Sequence, residues 1–286
     1  MPGAKRNDAR SGRSQHFLRR TALAAELVAG LELACDDAIV EIGAGKGILT
    51  EPLARRSRHV IAVEIDPWLC GRLRERFGAN PHVAVREEDF FETPLPERSF
   101  SVVGNLPFHR TSSILRRLTE GPRLPNDIAV IVQDGAALRR AGWPFAPESL
   151  QSLLLKPWWH VEVVRWIGRA EFTPPPSVDC ALLWMARRGR PLVPAERANA
   201  FRDFVSAGFG REGNDLARNL RPMFGRNQLE RLGRELHFSA RQKPSTLDFS
   251  QWLGLFRYFD RVADESRRRR LAGARSRVPR RGRHHD

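Results

Sequence analysis

The feature that most constrains this chain is a short apolar run, Ala38-Ile39-Val40-Glu41-Ile42, that ends directly in Gly43-Ala44-Gly45-Lys46-Gly47. A run of that length bounded by glycines reads as a buried strand, and a helix is expected to follow over residues 47–56. The alternation then repeats. His59-Val60-Ile61-Ala62-Val63 is a second strand, and Pro67, a residue favoured in the first helical turn, opens the next helix. Residues 83–85, 101–103 and 128–132 are further strands, with helical stretches such as 111–118 between some of them. Strands alternating with helices imply a mostly parallel sheet covered on both faces. Residues 161–167 and 178–185 leave no room for a helix between them and are expected to pair antiparallel at the end of that sheet.

The pattern changes after Met185. Arg187-Arg188-Gly189-Arg190-Pro191 reads as a linker, and from Ala195 to about Val262 apolar residues such as Phe201, Phe204 and Val205 fall at helical spacing. Residues 267–283 hold nine arginines broken by glycine and proline. Like charges so dense cannot pack together. The expected organisation is a basic flexible arm at 1–13, an α/β domain at 14–187, a helical domain at 191–262 and a disordered Arg-rich tail at 263–286.

Charge narrows the partner. The formal net charge is +15, and arginine supplies nearly all of it, since only Lys5, Lys46, Lys156 and Lys243 are lysines. A GC-rich genome favours arginine over lysine but does not create an excess of bases over acids; a nucleic-acid partner does account for it. No run approaches the roughly 18–20 apolar residues of a membrane span, and residues 1–13 lack the apolar core of a signal peptide. Cys35, Cys70 and Cys180 are far apart, odd in number and free of any zinc-type spacing. A cytoplasmic chain without disulfide, metal or membrane is expected.

Glycine at positions 43 and 45 lets the backbone approach a ligand with no Cβ in the way. The order is GxGxG, whereas a dinucleotide fingerprint is GxGxxG with a pyrophosphate on the helix N-terminus; here Ile48 takes the sixth place. Glu64 ends the second strand, where an acid can accept both hydroxyls of a ribose. Asp89, in Glu88-Asp89-Phe90, follows the third strand and can accept a hydrogen bond from an adenine amino group. Ligands of open α/β sheets bind at the carboxyl edge of the strands. These loops together read as a site for an adenosine-containing cofactor without a pyrophosphate, which argues against a dehydrogenase.

Gly104-Asn105-Leu106-Pro107-Phe108 ends the fourth strand. An exocyclic adenine amine is a poor nucleophile because its lone pair is delocalised into the ring, so an enzyme must orient it. The Asn105 side-chain carbonyl and the Leu106 backbone carbonyl can accept its two hydrogens. Pro107 stiffens the turn, and Phe108 can stack on the base. Rate then comes mainly from positioning.

These motifs resemble the rRNA adenine N6-methyltransferase family over residues 13–260. That family includes the Erm macrolide-resistance enzymes and the housekeeping 16S rRNA adenine dimethyltransferases. Ser14-Gln15-His16-Phe17-Leu18 resembles its N-terminal cofactor motif, residues 41–50 its glycine loop, Glu64-Ile65-Asp66 and Asp89-Phe90 its ribose and adenine motifs, and Asn105-Leu106-Pro107-Phe108 its catalytic tetrapeptide. Glu171-Phe172-Thr173-Pro174-Pro175-Pro176-Ser177-Val178 resembles the late loop whose aromatic covers the target base. The resemblance implies a Rossmann-like class I methyltransferase with a seven-stranded sheet and a small C-terminal all-helical, RNA-binding domain. It implies S-adenosyl-L-methionine as cofactor, held by His16, Leu18, Gly43, Gly45, Glu64, Asp89 and Asn105. Phe108 and Phe172 are expected to sandwich a flipped adenine. His16 stands where many members have asparagine, and Phe108 where many have tyrosine. The serine of Ser14-Gln15, the stretch Phe108-His109-Arg110-Thr111-Ser112 and the Arg-rich tail look like actinobacterial Erm proteins, which points to 23S rRNA and to macrolide-lincosamide-streptogramin B resistance. The alternatives are a 16S rRNA dimethyltransferase and a non-catalytic rRNA-binding assembly factor. A monomer is expected.

Overall fold

A computed structural model describes residues 15–33, 38–210 and 215–274. These fall within two compact units, one drawn from Met1–Ala137 and Val161–Arg187, the other from Leu138–His160 and Arg188–Asp286. The first half of the chain gives β1 (Phe17–Leu18), α1 (Thr21–Ala29), β2 (Ala38–Ile42), α2 (Thr50–Arg56), β3 (Val60–Glu64), α3 (Pro67–Phe77), β4 (Val83–Glu87), β5 (Phe100–Asn105), α4 (Thr111–Glu120) and β6 (Asp127–Gln133). After these come α5 (Asp134–Ala141), α6 (Leu150–Leu155), β7 (Trp159–Ile167), β8 (Phe172–Thr173) and β9 (Cys180–Arg187).

Seven strands form one sheet in the order β4-β3-β2-β5-β6-β9-β7. β2 pairs parallel with β3 and with β5, β3 with β4, and β5 with β6, while β9 runs antiparallel to β6. All five β2 residues are buried, which is why the run is apolar on both faces except at Glu41 rather than alternating. β7 and β9 are neighbours, as the sequence led us to expect. Parallel pairing carries the carboxyl ends of β2, β3, β4 and β5 to one edge of the sheet, so Gly43, Glu64, Asp89 and Asn105 follow or end adjacent strands there. The helix expected from residue 47 begins only at Thr50. Gly43, Gly45 and Gly47 have φ of 70°, 57° and 76°, and this left-handed turn, open to glycine, occupies the space of a first helical turn. Outside the large sheet, β1 and β8 pair antiparallel, with Leu18 opposite Phe172.

The second unit is helical: α7 (Ala198–Phe209), α8 (Leu216–Leu220), α9 (Arg226–Glu235), α10 (Phe249–Val262) and α11 (Glu265–Leu271). Its core joins Phe201 and Phe204 of α7 to Leu220, Leu232, Trp252 and Phe256, with Phe201 edge-on to Phe256 at 5.1 Å. Two expected boundaries are corrected here. Residues 138–160 were expected in the α/β domain, but Leu153 is buried in the helical core, Trp158 stands edge-on to Phe201, and Glu148 N–H donates to the Ser245 carbonyl. The Arg-rich tail was expected to be disordered from residue 263, but α11 forms. Asp264 caps it by accepting from Arg267 N–H, Glu265 pairs with Arg269 one turn on, and Leu271 is buried in the core. Acids at the N-terminus and arginines in the last turn suit the helix dipole, and one leucine anchors the helix. The 1–13 arm, Cys35 and residues 275–286 lie outside the described residues. Cys70 and Cys180 are buried free thiols. No helix among the described residues is long and apolar enough to cross a membrane.

Candidate active site

A cavity of about 300 Å³ opens at the carboxyl edge of the sheet, lined by His16, Gly43, Glu64, Asp89, Asn105 and Phe108 among others. Leu106 and Pro107 line it too. The structure therefore gathers residues spread over ninety positions of sequence. A second cavity beside it is lined by Leu18, Glu41, Gly43 and Asn105. Gly45 lines neither; its N–H donates to Glu64 Oε2 at 2.8 Å. It thus braces the Glu64 carboxylate from the glycine turn.

Glu64 is buried, and its Oε1 accepts from the N–H groups of Ile65 and Asp66 at 2.9 and 3.0 Å. With the Gly45 bond, three of the roughly four acceptor positions of a carboxylate are filled. In this arrangement one acceptor position of Glu64 stays open. Asp89 is similarly engaged. Its Oδ1 accepts from Phe91 N–H at 2.9 Å, and its Oδ2 takes both terminal nitrogens of Arg110 at 2.9 Å. Burial alone raises the Asp89 carboxyl, but the Phe91 N–H, the Arg110 fork and the Arg110 and Arg117 charges together hold it below the ordinary aspartate value. Arg117 reinforces the same loop by donating to the carbonyls of Phe90 and Thr93. Sequence reasoning missed both arginines, because no periodicity links positions 89 and 110.

At the strand end, Gly104 faces Ile42 across the β2–β5 pair. A Cβ there would lie 2.5 Å from the Ile42 carbonyl oxygen, so only glycine lets β5 deliver Asn105 this close to β2. Asn105 Nδ2 donates to the His16 carbonyl at 2.6 Å. That contact is through the His16 backbone and leaves Oδ1 as the Asn105 acceptor. The His16 ring is held by Nδ1 against the Pro174 carbonyl at 2.7 Å and stacks on Phe108 with centroids 5.2 Å apart.

The aromatic sandwich is corrected. Phe172 is 1 % exposed and packs in the core with Leu18, Leu23 and Ile167. The ring against Phe108 is His16. Phe172→Ala is expected to lower the melting temperature by several degrees, since truncating a buried aromatic costs about 3–5 kcal/mol. An unchanged melt accompanied by lost RNA methylation would return the ring to the substrate.

Behind the glycine loop, Glu41 is buried and accepts from Thr50 Oγ1 at 2.6 Å. Burial, and secondarily the nearby Glu64, push its carboxyl up to about 8, against the hydrogen bond that lowers it. It is therefore mostly neutral at pH 7. A carboxyl raised on folding contributes stability that is full below its unfolded value and is lost as pH climbs through the folded one. Glu41→Gln keeps the neutral shape at every pH. Urea melts at pH 5, 7 and 9 are expected to show the variant gaining on the parent chain as pH rises through that window. A constant difference would place an ionised carboxylate there.

Among the described residues no three His, Cys, Asp or Glu side chains gather as a metal site. The ribosomal RNA adenine dimethylase profile matches residues 6–260. An rRNA adenine N-6-methyltransferase of Streptomyces fradiae is 32% identical over 251 residues, 87% of this chain and 78% of that one. A ribosomal RNA small subunit methyltransferase A from Synechococcus is 30% identical over 250 residues, 84% of this chain and 89% of that one. Among solved structures, that of the 23S rRNA methyltransferase ErmE superposes with a TM-score of 0.79 at 29% identity, covering 85% of this chain and 99% of that one.

Proposed function

We propose that this chain, which belongs to the ribosomal RNA adenine dimethylase family, methylates N6 of an adenine in 23S rRNA at the macrolide-binding site and so confers resistance to macrolides, lincosamides and streptogramin B. Its chemistry is that of an S-adenosylmethionine-dependent rRNA adenine N6-methyltransferase. The observation that carries the 23S assignment is the likeness to ErmE, a 23S rRNA methyltransferase, along nearly all of that chain. The place of action is then the cytoplasm, where the ribosomes are.

The residues present fit the cofactor. Gly43, in its left-handed conformation, borders the cavity without a side chain, and Glu64 and Asp89 each keep an acceptor position for a hydroxyl and an amine. Gly43, Glu64 and Asp89 would hold it, with Leu18 and the His16 backbone at its border. When bound it supplies an electrophilic methyl group. Asn105 Oδ1 and the Leu106 carbonyl accept the two amine hydrogens and so aim the N6 lone pair. Phe108, backed by His16, stacks on the base. No side chain has to remove a proton first, because a methylated amine is acidic enough to lose its proton to water.

The Synechococcus relative favours a second reading, an adenine of 16S rRNA. Primer extension on 23S and 16S rRNA, each incubated with the chain and cofactor, tests both. A stop at one adenine of the macrolide site is expected. Stops confined to 16S rRNA would overturn the 23S reading and leave the family chemistry intact.

A further inference from the structure

Several arginines of the helical unit pair with acids: Arg197 with Asp260, Arg226 with Glu230 and Arg231 with Glu235. One cleft of about 1190 Å³ gathers arginines that do not. Arg218 and Arg221 stand at α8, Arg234 on α9, Arg241 in the loop after α9 and Arg270 on α11, all lining it. None of the five side chains has an ion-pair partner among the described residues. The two acids that line the cleft are already used. Asp215 caps α8 by accepting from the Ala217 and Arg218 N–H groups, and Glu230 is held by Arg226 at 3.0 Å.

The cationic rim is built on fixed ground. α8 is anchored by Leu216 and Leu220, α9 by Leu229 and Leu232, and α11 by Leu271, all buried in the core of the unit. Gathering five uncompensated charges on one concave face works against the folded unit through their mutual repulsion. Guanidinium groups present a planar fork that fits phosphate oxygens with two hydrogen bonds. We infer that this cleft is a binding site for the phosphodiester backbone of the substrate RNA, separate from the cavity that takes the adenine. Phosphate contacts hold register and orientation without reading bases, so the cleft tethers the RNA and the strand-edge cavity selects the target. The inference rests on rRNA being the substrate, and not on which rRNA carries the adenine.

The test uses the full chain and a triple variant, Arg221→Gln with Arg234→Gln and Arg241→Gln. Affinity for an rRNA fragment is measured from 50 to 300 mM salt, alongside initial rates. Each phosphate contact contributes about 0.7–0.9 to the slope of log affinity against log salt, so a slope smaller by about two is expected, with KM for RNA raised roughly tenfold or more and kcat and cofactor affinity unchanged. The matching triple lysine variant is expected to recover most of the slope. Should the glutamine triple melt early, the three single variants carry the test, each lowering the slope by about 0.7–0.9. A folded variant with parental slope and KM would overturn the inference, as would polyglutamate displacing RNA at equal charge concentration, which would make the cleft a protein-docking face. A parent chain that methylates no rRNA would sink the substrate reading instead, so the two failures are told apart.

Discussion

Asn105→Ala is expected to lower turnover by about a hundredfold or more while cofactor affinity stays within about tenfold. A misplacement of the nucleophile by about 1 Å can cost that much, and alanine removes both ends of the carboxamide. Nδ2 is the end that fixes the group, through its 2.6 Å bond to the His16 carbonyl. Oδ1 is the end left to accept from the adenine amine. Asn105→Asp separates the two, because it keeps an oxygen near the Oδ1 position but turns the donor toward His16 into a second acceptor. Two facing acceptors repel, so the aspartate is expected to be nearly as slow as the alanine. Rates under single-turnover conditions, with cofactor affinity measured by calorimetry, decide the matter. Near-parental turnover in Asn105→Ala would remove the amine clamp from the mechanism.

The strands were legible in the sequence because a buried parallel sheet writes itself as short continuous apolar runs, and the site was legible because its residues sit where those runs stop. Gly43, Glu64, Asp89 and Asn105 each follow from a strand end, and parallel topology then brings them to one edge without further information. What stayed hidden depends on partners far apart in sequence. Phe172 reads the same whether its ring covers a base or fills a core; only its burial among Leu18, Leu23 and Ile167 decides it. Residues 138–160 lie between α/β elements, and their allegiance is set by Leu153 reaching the helical core. The count of nine arginines in 267–283 hid α11, because one buried leucine and one capping aspartate outweigh composition over seven residues.

Arg110→Leu should weaken cofactor binding roughly tenfold or more, since a charge-assisted hydrogen bond is worth about 1.5–3 kcal/mol, and it should shift the acid limb of that binding to higher pH. Arg110 closes the turn that starts at Asn105, with its N–H on the Pro107 carbonyl at 2.9 Å. Its guanidinium reaches back to Asp89 Oδ2 and lies 4.6 Å over the Phe91 ring. The turn proposed to hold the methyl acceptor therefore grips the loop proposed to hold the adenine of the cofactor. With Phe91 N–H and both Arg110 bonds in place, Asp89 has one acceptor position left, and the fork decides where it points. The sign of the pH effect follows from the depressed Asp89 carboxyl. A group lowered on folding keeps its contribution above the unfolded value and loses it as pH falls through the folded one. Leucine removes the largest side-chain hydrogen bond and a nearby charge while burial persists, so Asp89 protonates at a higher pH and cofactor affinity starts to fall earlier on the acid side. Calorimetric titrations between pH 4.5 and 7.5 read both effects. Arg110→Lys restores the charge without the fork, and is expected to recover the acid limb but only part of the affinity. Affinity and acid limb both unchanged in the leucine variant would make the contact an ordinary exposed ion pair, of the kind that contributes little.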